Sequence, residues 1–341
     1  MTRFLQAMGG AHHGGAEAFF ERLAIALGKT KDTQTVVIRR DAERAARLRT
    51  GSIEPIELGF GGALDFLTKP RLKRIIKAEK PQLVLTWMSR ATQLCPKGDF
   101  VHVARLGGYY DLRHYRNCKH LVGNTRGLVA WMMRQGWPQH RAHYLPNFPD
   151  VTPMPPVSRA SLDTPEDAPL ALAMGRLHPH KSFDVLLDAV SRVPGLYLWL
   201  AGDGELGPTL KQQARVLGIA DRVRFLGWRQ DSAALLGAAD MLVSAARVEP
   251  LGNTILEAWA ASVPVVAAKT SGPAELIENR KTGLLVDVGD APALATAMKR
   301  IADEGNFAAD LAQQGHEAFM ARFSEKRVVD DYRDFFRKVA G

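Results

Sequence analysis

Cysteine is scarce in this chain: only Cys95 and Cys118 occur in 341 residues. Two thiols without metal-ligand spacing exclude a disulfide scaffold and a zinc module, and they suit free, structural cysteines in a reducing compartment. No apolar run reaches the roughly 18 residues that a membrane-spanning helix requires. The basic-then-apolar pattern of a secretion signal is missing from the first residues, so the expected location is the cytoplasm. No nucleic-acid-reading motif accompanies the formal net charge of +9, so a nucleic acid is not the expected partner. What is present is a globular balance of 46% hydrophobic and 24% charged residues, long enough for two domains with sizeable cores.

The charge is unevenly divided. Residues 1–150 carry 24 Lys and Arg against 12 Asp and Glu, a net of +12, while the remainder carries −3. Such a basic half calls for an anionic partner. Its densest run is Lys69 to Lys80, where Leu72, Ile75, Ile76 and Ala78 form one helical face beneath a cationic one. Attraction to an anionic membrane surface or to a lipid-linked substrate is the functional reading, and a solvated surface helix is the plain one.

Short apolar runs alternate with helical stretches throughout, which predicts parallel sheets covered on both faces. In the first half, Phe4–Met8, Val36–Ile38, Leu83–Thr86, Phe100–Ala104 and His120–Gly123 read as strands, with Ala16–Leu27 as a helix. The loop Gly9–Gly15 between the first strand and that helix is glycine-rich without Gly-x-Gly-x-x-Gly spacing, which is weak evidence for a nucleotide. It contains His12 and His13, equally loop filler or contacts to an acceptor, with no metal partner in sight. Prolines at 146, 149, 153, 155 and 156 mark a linker, dividing the chain into 1–155, 165–322 and a closing helix in 323–341. That helix presents Val328, Tyr332, Phe335, Phe336 and Val339 on one face.

The second half holds the most informative stretch, Arg247 to Gly289. Glu249 and Glu257 flank a turn at Gly252-Asn253-Thr254 that opens a helix-forming run. A helix start offers free N–H groups and a positive dipole end to an anion such as a diphosphate. Glu249 precedes the helix and Glu257 sits about one turn inside it, where it can accept from a diol. A buried strand at Val263–Ala268, a turn at Ser271–Glu275 and a short strand at Thr282–Val286 follow.

This ordered series resembles the nucleotide-sugar half of the family 4 glycosyltransferases. In that family a Glu-x7-Glu motif precedes a Pro-Val-Val strand, a Gly-Pro-x-x-Glu-type turn and a Thr-Gly-Leu-Leu-Val strand. The likeness is dense from Leu170 to Val288 and extends thinly over the rest. It implies a GT-B fold: an α/β protein of two Rossmann-like domains facing a central cleft, with the last helix crossing back to the first domain and coupling closure that excludes water. It also implies a retaining transfer of a hexose or N-acetylhexosamine from a nucleotide diphosphate sugar, UDP-linked in expectation. No Asp-x-Asp metal motif appears where the donor would sit, so neither a metal nor another cofactor is expected.

Residue by residue, Gly175-Arg-Leu with Lys181 resembles the family's basic motif, Ser182 standing where a glycine is usual. The resemblance gives Arg176 and Lys181 the departing diphosphate, together with the start at Leu251, Gly252, Asn253 and Thr254. Glu249 holds the donor sugar or its developing positive charge, and Glu257 the ribose. Gly14 and Gly15, in a Gly-Gly-Ala-Glu loop, lie near the donor phosphates. Gly202 opens a turn after a strand at Leu196–Ala201. Gly227 ends the strand Val223–Gly227, whose backbone lies against the base, with Trp228 and Arg229 framing the base or merely packing. The pattern is broken after the strand at 100–104, where Gly107-Gly108-Tyr109-Tyr110 stands in place of a sugar-contacting histidine. His114 is the candidate substitute or an ordinary surface residue.

The basic first half adds a cell-surface glycan acceptor such as lipopolysaccharide core, anionic or lipid-linked, met at the inner face of the cytoplasmic membrane. Competing readings are a nucleotide-sugar epimerase of the same fold and an inactive nucleotide-sugar or glycan-binding protein.

Overall fold

A computed structural model of the chain describes residues 1–12, 14–61 and 65–341. His13 falls outside the described residues. The chain forms two compact units, Met1–Phe148 with Glu325–Gly341, and Pro149–Ser324.

The first unit is a parallel sheet of β1 (Arg3–Met8), β2 (Thr33–Arg39), β3 (Ile56–Leu58), β4 (Leu83–Trp87), β5 (Val101–Leu106), β6 (His120–Gly123) and β7 (Ala142–Tyr144), in the order β3-β2-β1-β4-β5-β6-β7. β4 is buried throughout, and β1 after its first residue, which is why both read as nearly continuous apolar runs, broken only by Thr86 and Gln6, rather than as alternating ones. The order reverses between β1 and β4, so a crevice opens at their carboxyl ends.

One face of this sheet is covered by the helix Gly15–Gly28 and by the closing helix Glu325–Ala340. Val328, Tyr332, Phe335 and Phe336 are buried as the spacing predicts, and Val329 joins them. Phe336 packs on Phe4 with ring centroids 4.8 Å apart, and Arg333 Nε donates to Asp32 at 2.7 Å. The basic run is the helix Thr68–Glu79, with Leu72 and Ile76 buried. Ala78 is exposed instead of sharing their face, because two residues turn a helix by about 200° from Ile76. Phe66 and Leu67, just before this helix, are exposed.

The second unit is a parallel sheet of β8 (Leu170–Met174), β9 (Tyr197–Ala201), β10 (Val223–Gly227), β11 (Met241–Ser244), β12 (Val265–Ala268) and β13 (Leu284–Val286), ordered β10-β9-β8-β11-β12-β13. Its reversal lies between β8 and β11. Ser271–Leu276, expected as a turn leading into a helix, is itself a short helix. No helix among the described residues is long and apolar enough to cross a membrane. Cys95 and Cys118 are free and buried. Burial pushes the Cys95 thiol up to about 12 and raises Cys118 also, so neither is primed as a nucleophile.

Three histidines of the first unit are held neutral. His102 is 6% exposed and hydrogen-bonded to the Thr86 hydroxyl at 3.0 Å, and burial pushes it down to about 4. His120 and His143 share a hydrogen bond of 3.0 Å and lie against Phe335. Burial first, then neighbouring charges including Lys338, lowers both to about 4. An unfolded chain takes up these protons near 6.5 and the native one resists until about 4. The stability they contribute is therefore complete above 6.5 and lost as pH falls toward 4, on the order of 3 kcal/mol for His102. A melting temperature that falls clearly between about pH 7 and pH 5 is the expected outcome, and a flat profile over that range contradicts it.

Candidate active site

The residues singled out in the second half converge at the carboxyl ends of β8, β9, β10 and β11, around the reversal of the sheet order. After β8 the chain passes Gly175, Arg176 and Leu177 into a 3-10 turn, Pro179–Lys181, and the helix Phe183–Ser191. Ser182 between them is buried and left-handed, with φ 50°. That conformation costs a non-glycine residue roughly 1 kcal/mol, which explains why glycine suits this position. Here the Ser182 hydroxyl accepts from Arg247 Nε at 2.7 Å.

The loop after β11 is fastened to this turn. The N–H groups of Arg247 and Val248 donate to the His180 carbonyl at 2.9 and 3.2 Å. Lys181 Nζ donates to Glu249 Oε2 at 2.5 Å, with the two side chains 25% and 12% exposed. The other carboxylate oxygen accepts from the Gly252 N–H at 3.0 Å. The Glu249 carbonyl accepts from the Gly272 N–H at 2.8 Å. One glutamate thus ties together the basic turn, the start of the helix Asn253–Ala260 and the start of the helix Ser271–Leu276. Gly252 takes φ 75° at the head of its helix, a geometry that favours glycine. Leu251, Asn253 and Thr254 are half-buried around it, and Glu257 is half-buried one turn further on.

Lys181 lies across Gly175, where a Cβ would come within 2.9 Å of its Cε. The adjacent Arg176 is exposed, and its guanidinium has no partner among the described residues. A paired ammonium, an unpaired guanidinium and the free N–H groups of a helix start form a set of donors suited to a dianion.

The strand ends are packed backbone to backbone. The Gly202 N–H donates to the Gly227 carbonyl at 2.7 Å. A Cβ at Gly202 would sit 1.8 Å from the Gly175 carbonyl oxygen, so no side chain fits there. Beside them is a concavity of about 480 Å³ whose walls include Leu177, Gly204, Lys211 and Phe225. Trp228, next in the chain after Gly227, stands 72% exposed and is not packed. Arg229 is committed elsewhere, with its fork on the Asp231 carboxylate at 2.8 and 2.5 Å.

Three of the sequence-predicted residues belong to the first unit. Gly14 and Gly15 are exposed at the head of the helix Gly15–Gly28. His114 is exposed on the 3-10 turn Leu112–Tyr115 after β5. His12 is occupied, its Nδ1 lying 3.1 Å from the Asp41 carboxylate.

Two groups were not foreseen. Arg247 orients the turn through Ser182, and only its place after β11 marks it in the sequence. Arg44 is fully buried in the first unit. It reaches Glu21 at 2.9 Å, Asp41 at 3.3 Å, and the carbonyls of Ala11 and His12 at 2.7 and 3.0 Å. It thereby fixes the glycine-rich loop, and a buried arginine carries no mark in sequence that separates it from a surface one.

Residues 156–318 match the family described as glycosyl transferases group 1. Over 94% of both chains, the protein is 39% identical to the lipopolysaccharide core biosynthesis glycosyltransferase LpsE of Rhizobium meliloti. It is 36% identical to LpsD of the same organism over 95% of both. Among solved structures, Anabaena Alr3699/HepE in complex with UDP superposes with a TM-score of 0.82 at 22% identity, covering 98% of this chain and all of that one.

Proposed function

Since the chain belongs to the glycosyl transferases group 1 family and is a glycosyltransferase of the GT-B fold, we propose that it acts in lipopolysaccharide core assembly. In this reading it moves a hexose or N-acetylhexosamine from a UDP-linked donor to a core acceptor, with retention of configuration. The observation that carries it is the Lys181–Glu249–Gly252 network at the β8/β11 reversal.

The reaction breaks the bond between the sugar C1 and the diphosphate oxygen, and the electron pair leaves with the diphosphate. Arg176, Lys181 and the helix start at Gly252, Asn253 and Thr254 meet that charge, so no metal ion is enlisted. An acceptor hydroxyl bonds to C1 from the same face and gives its proton to the departing diphosphate. Glu249 holds Lys181 in place and turns negative charge toward the sugar as it becomes positive. Glu257 accepts from the ribose hydroxyls. The base fits the concavity between Leu177 and Phe225, with the Gly202 and Gly227 backbones along it.

The acceptor is met at the inner face of the cytoplasmic membrane. The cationic helix Thr68–Glu79 with exposed Phe66 and Leu67 supports this peripheral role.

The test is UDP release from a panel of UDP-hexoses and UDP-N-acetylhexosamines, with and without lipid-linked core glycan, followed by the anomeric configuration of the product. Release from one donor, stimulated by acceptor and retaining, is expected. Turnover of a GDP-sugar alone overturns the UDP assignment, and an inverted product overturns retention. Sedimentation at low salt is expected with anionic vesicles and not with neutral ones, and equal binding to both removes the membrane role.

A further inference from the structure

The first unit has a concavity of its own, of about 580 Å³, where its strand order reverses between β1 and β4. It is bounded by Gly9 and Gly10 after β1, by Arg39 at the end of β2, and by Ser89, Arg90 and Gln93 after β4. Met88, left-handed with φ 67°, turns the chain sharply out of β4 and brings Ser89 and Arg90 to the rim. The volume lies within the few hundred to 1,000 Å³ of ordinary ligand pockets.

Among the described residues the lining is cationic, with two arginines and no carboxylate. Arg39 is half-buried, and its guanidinium has no partner among the described residues. Arg90 is anchored through Nη1 to the Phe60 carbonyl at 3.1 Å, which leaves the rest of its fork free. Three carboxylates lie nearby, each already accepting hydrogen bonds from its own surroundings. Glu17 accepts the Ala11 N–H at 2.9 Å, and Glu57 the Asp41 N–H at 3.2 Å. Asp65 accepts the Thr68 hydroxyl at 2.6 Å and the Gly61 N–H at 2.7 Å, contacts that hold it down to about 2. The Ser89 hydroxyl and the Gln93 amide add neutral hydrogen-bonding groups suited to sugar hydroxyls.

We infer that this concavity receives an anionic sugar of the acceptor, its carboxylate or phosphate held by the forks of Arg39 and Arg90. The inference rests on the glycosyltransferase reading and names the class of acceptor. Guanidinium forks match both oxyanions in a bidentate manner, so charge and planarity select the anion while Ser89 and Gln93 orient the ring.

The experiment titrates the full chain at low salt with glucuronic acid, glucose 6-phosphate and glucose. At least one charged sugar is expected to bind about tenfold or more tightly than glucose, and the tighter of the two tells carboxylate from phosphate. Arg39→Gln and Arg90→Gln are each expected to erase that preference. Arg39→Lys retains part of it and guards against a folding defect, which melting curves check directly. Arg74→Gln, on the exposed side of the basic helix, removes the same charge elsewhere and leaves the preference intact. Equal binding of all three sugars overturns the inference, as does an Arg74→Gln effect matching that of Arg39→Gln. UDP binding is read in the same samples. Its absence overturns the donor assignment alone, because the sugar titration reports on the first unit independently of it.

Discussion

Glutamine in place of Glu249 is expected to lower the transfer rate by a factor of about 10²–10³, the loss typical when one preorganised electrostatic group is removed. The substituted amide oxygen can still accept from the Gly252 N–H, so the helix start survives. What disappears is the charge that holds Lys181 Nζ at 2.5 Å. Freed of its partner, the lysine stem regains rotamer freedom and no longer presents its ammonium at a fixed place beside Arg176. The pair is only partly desolvated, so the cost in stability is small, about 1 kcal/mol or less. Lys181→Met removes the other half of the same unit. Its loss is expected to be similar, and the double variant little worse than either single one, as groups acting together are not additive. Steady-state assays with whichever donor the UDP-sugar panel selects decide the matter. A Glu249→Gln enzyme within about tenfold of wild type would show that the carboxylate is only a loop cap.

The second large effect lies in the first unit and is one of stability. Arg44→Met is expected to destabilise the protein by about 3–5 kcal/mol, the range found when one partner of a buried ion pair is removed. The methionine fills much of the volume but leaves Asp41, 6% exposed in its side chain, without its main cation. Glu21 keeps Arg47 at 2.7 Å and is compensated in part. The Ala11 and His12 carbonyls also lose their donor, so the loop after β1 is released as well. Thermal unfolding should show a drop on the order of 10 °C, and a change under about 2 °C would count against the buried network.

Much of this architecture was legible because parallel strands buried on both faces leave apolar runs with few interruptions, as at Leu83–Leu85 and Leu170–Met174. The loops of the second unit were legible for a related reason. In a doubly wound sheet ligands are met at strand exits, and Arg176, Gly202, Gly227 and Glu249, which the family resemblance singles out, each stand at or after the end of a strand. The contacts between those loops were not legible. That Lys181 meets Glu249 depends on β8 and β11 being neighbours, which no local pattern records. Ser182 looked like a lapse from a glycine pattern, and only the Arg247 contact explains how serine is held there. In the first unit the dense run Lys69–Lys80 stands out in sequence, whereas Arg39 and Arg90 are isolated there and come to line one concavity only through the sheet order. Ala78 reads as part of the apolar face because its own side chain is apolar, although the helical rotation carries it to solvent.

The chain leaves the first unit at Phe148 and returns to it at Glu325, so the second unit is an insertion between a sheet and one of its covering helices. During synthesis the first sheet therefore emerges with Phe4, Phe19 and Trp87 lacking the cover that Tyr332 and Phe336 later supply. The second unit is contiguous and can close its core as soon as it clears the ribosome. The unit made first is thus the one completed last. Until the helix Glu325–Ala340 arrives, an apolar sheet face stays open, and exposed surface of that kind is prone to aggregation.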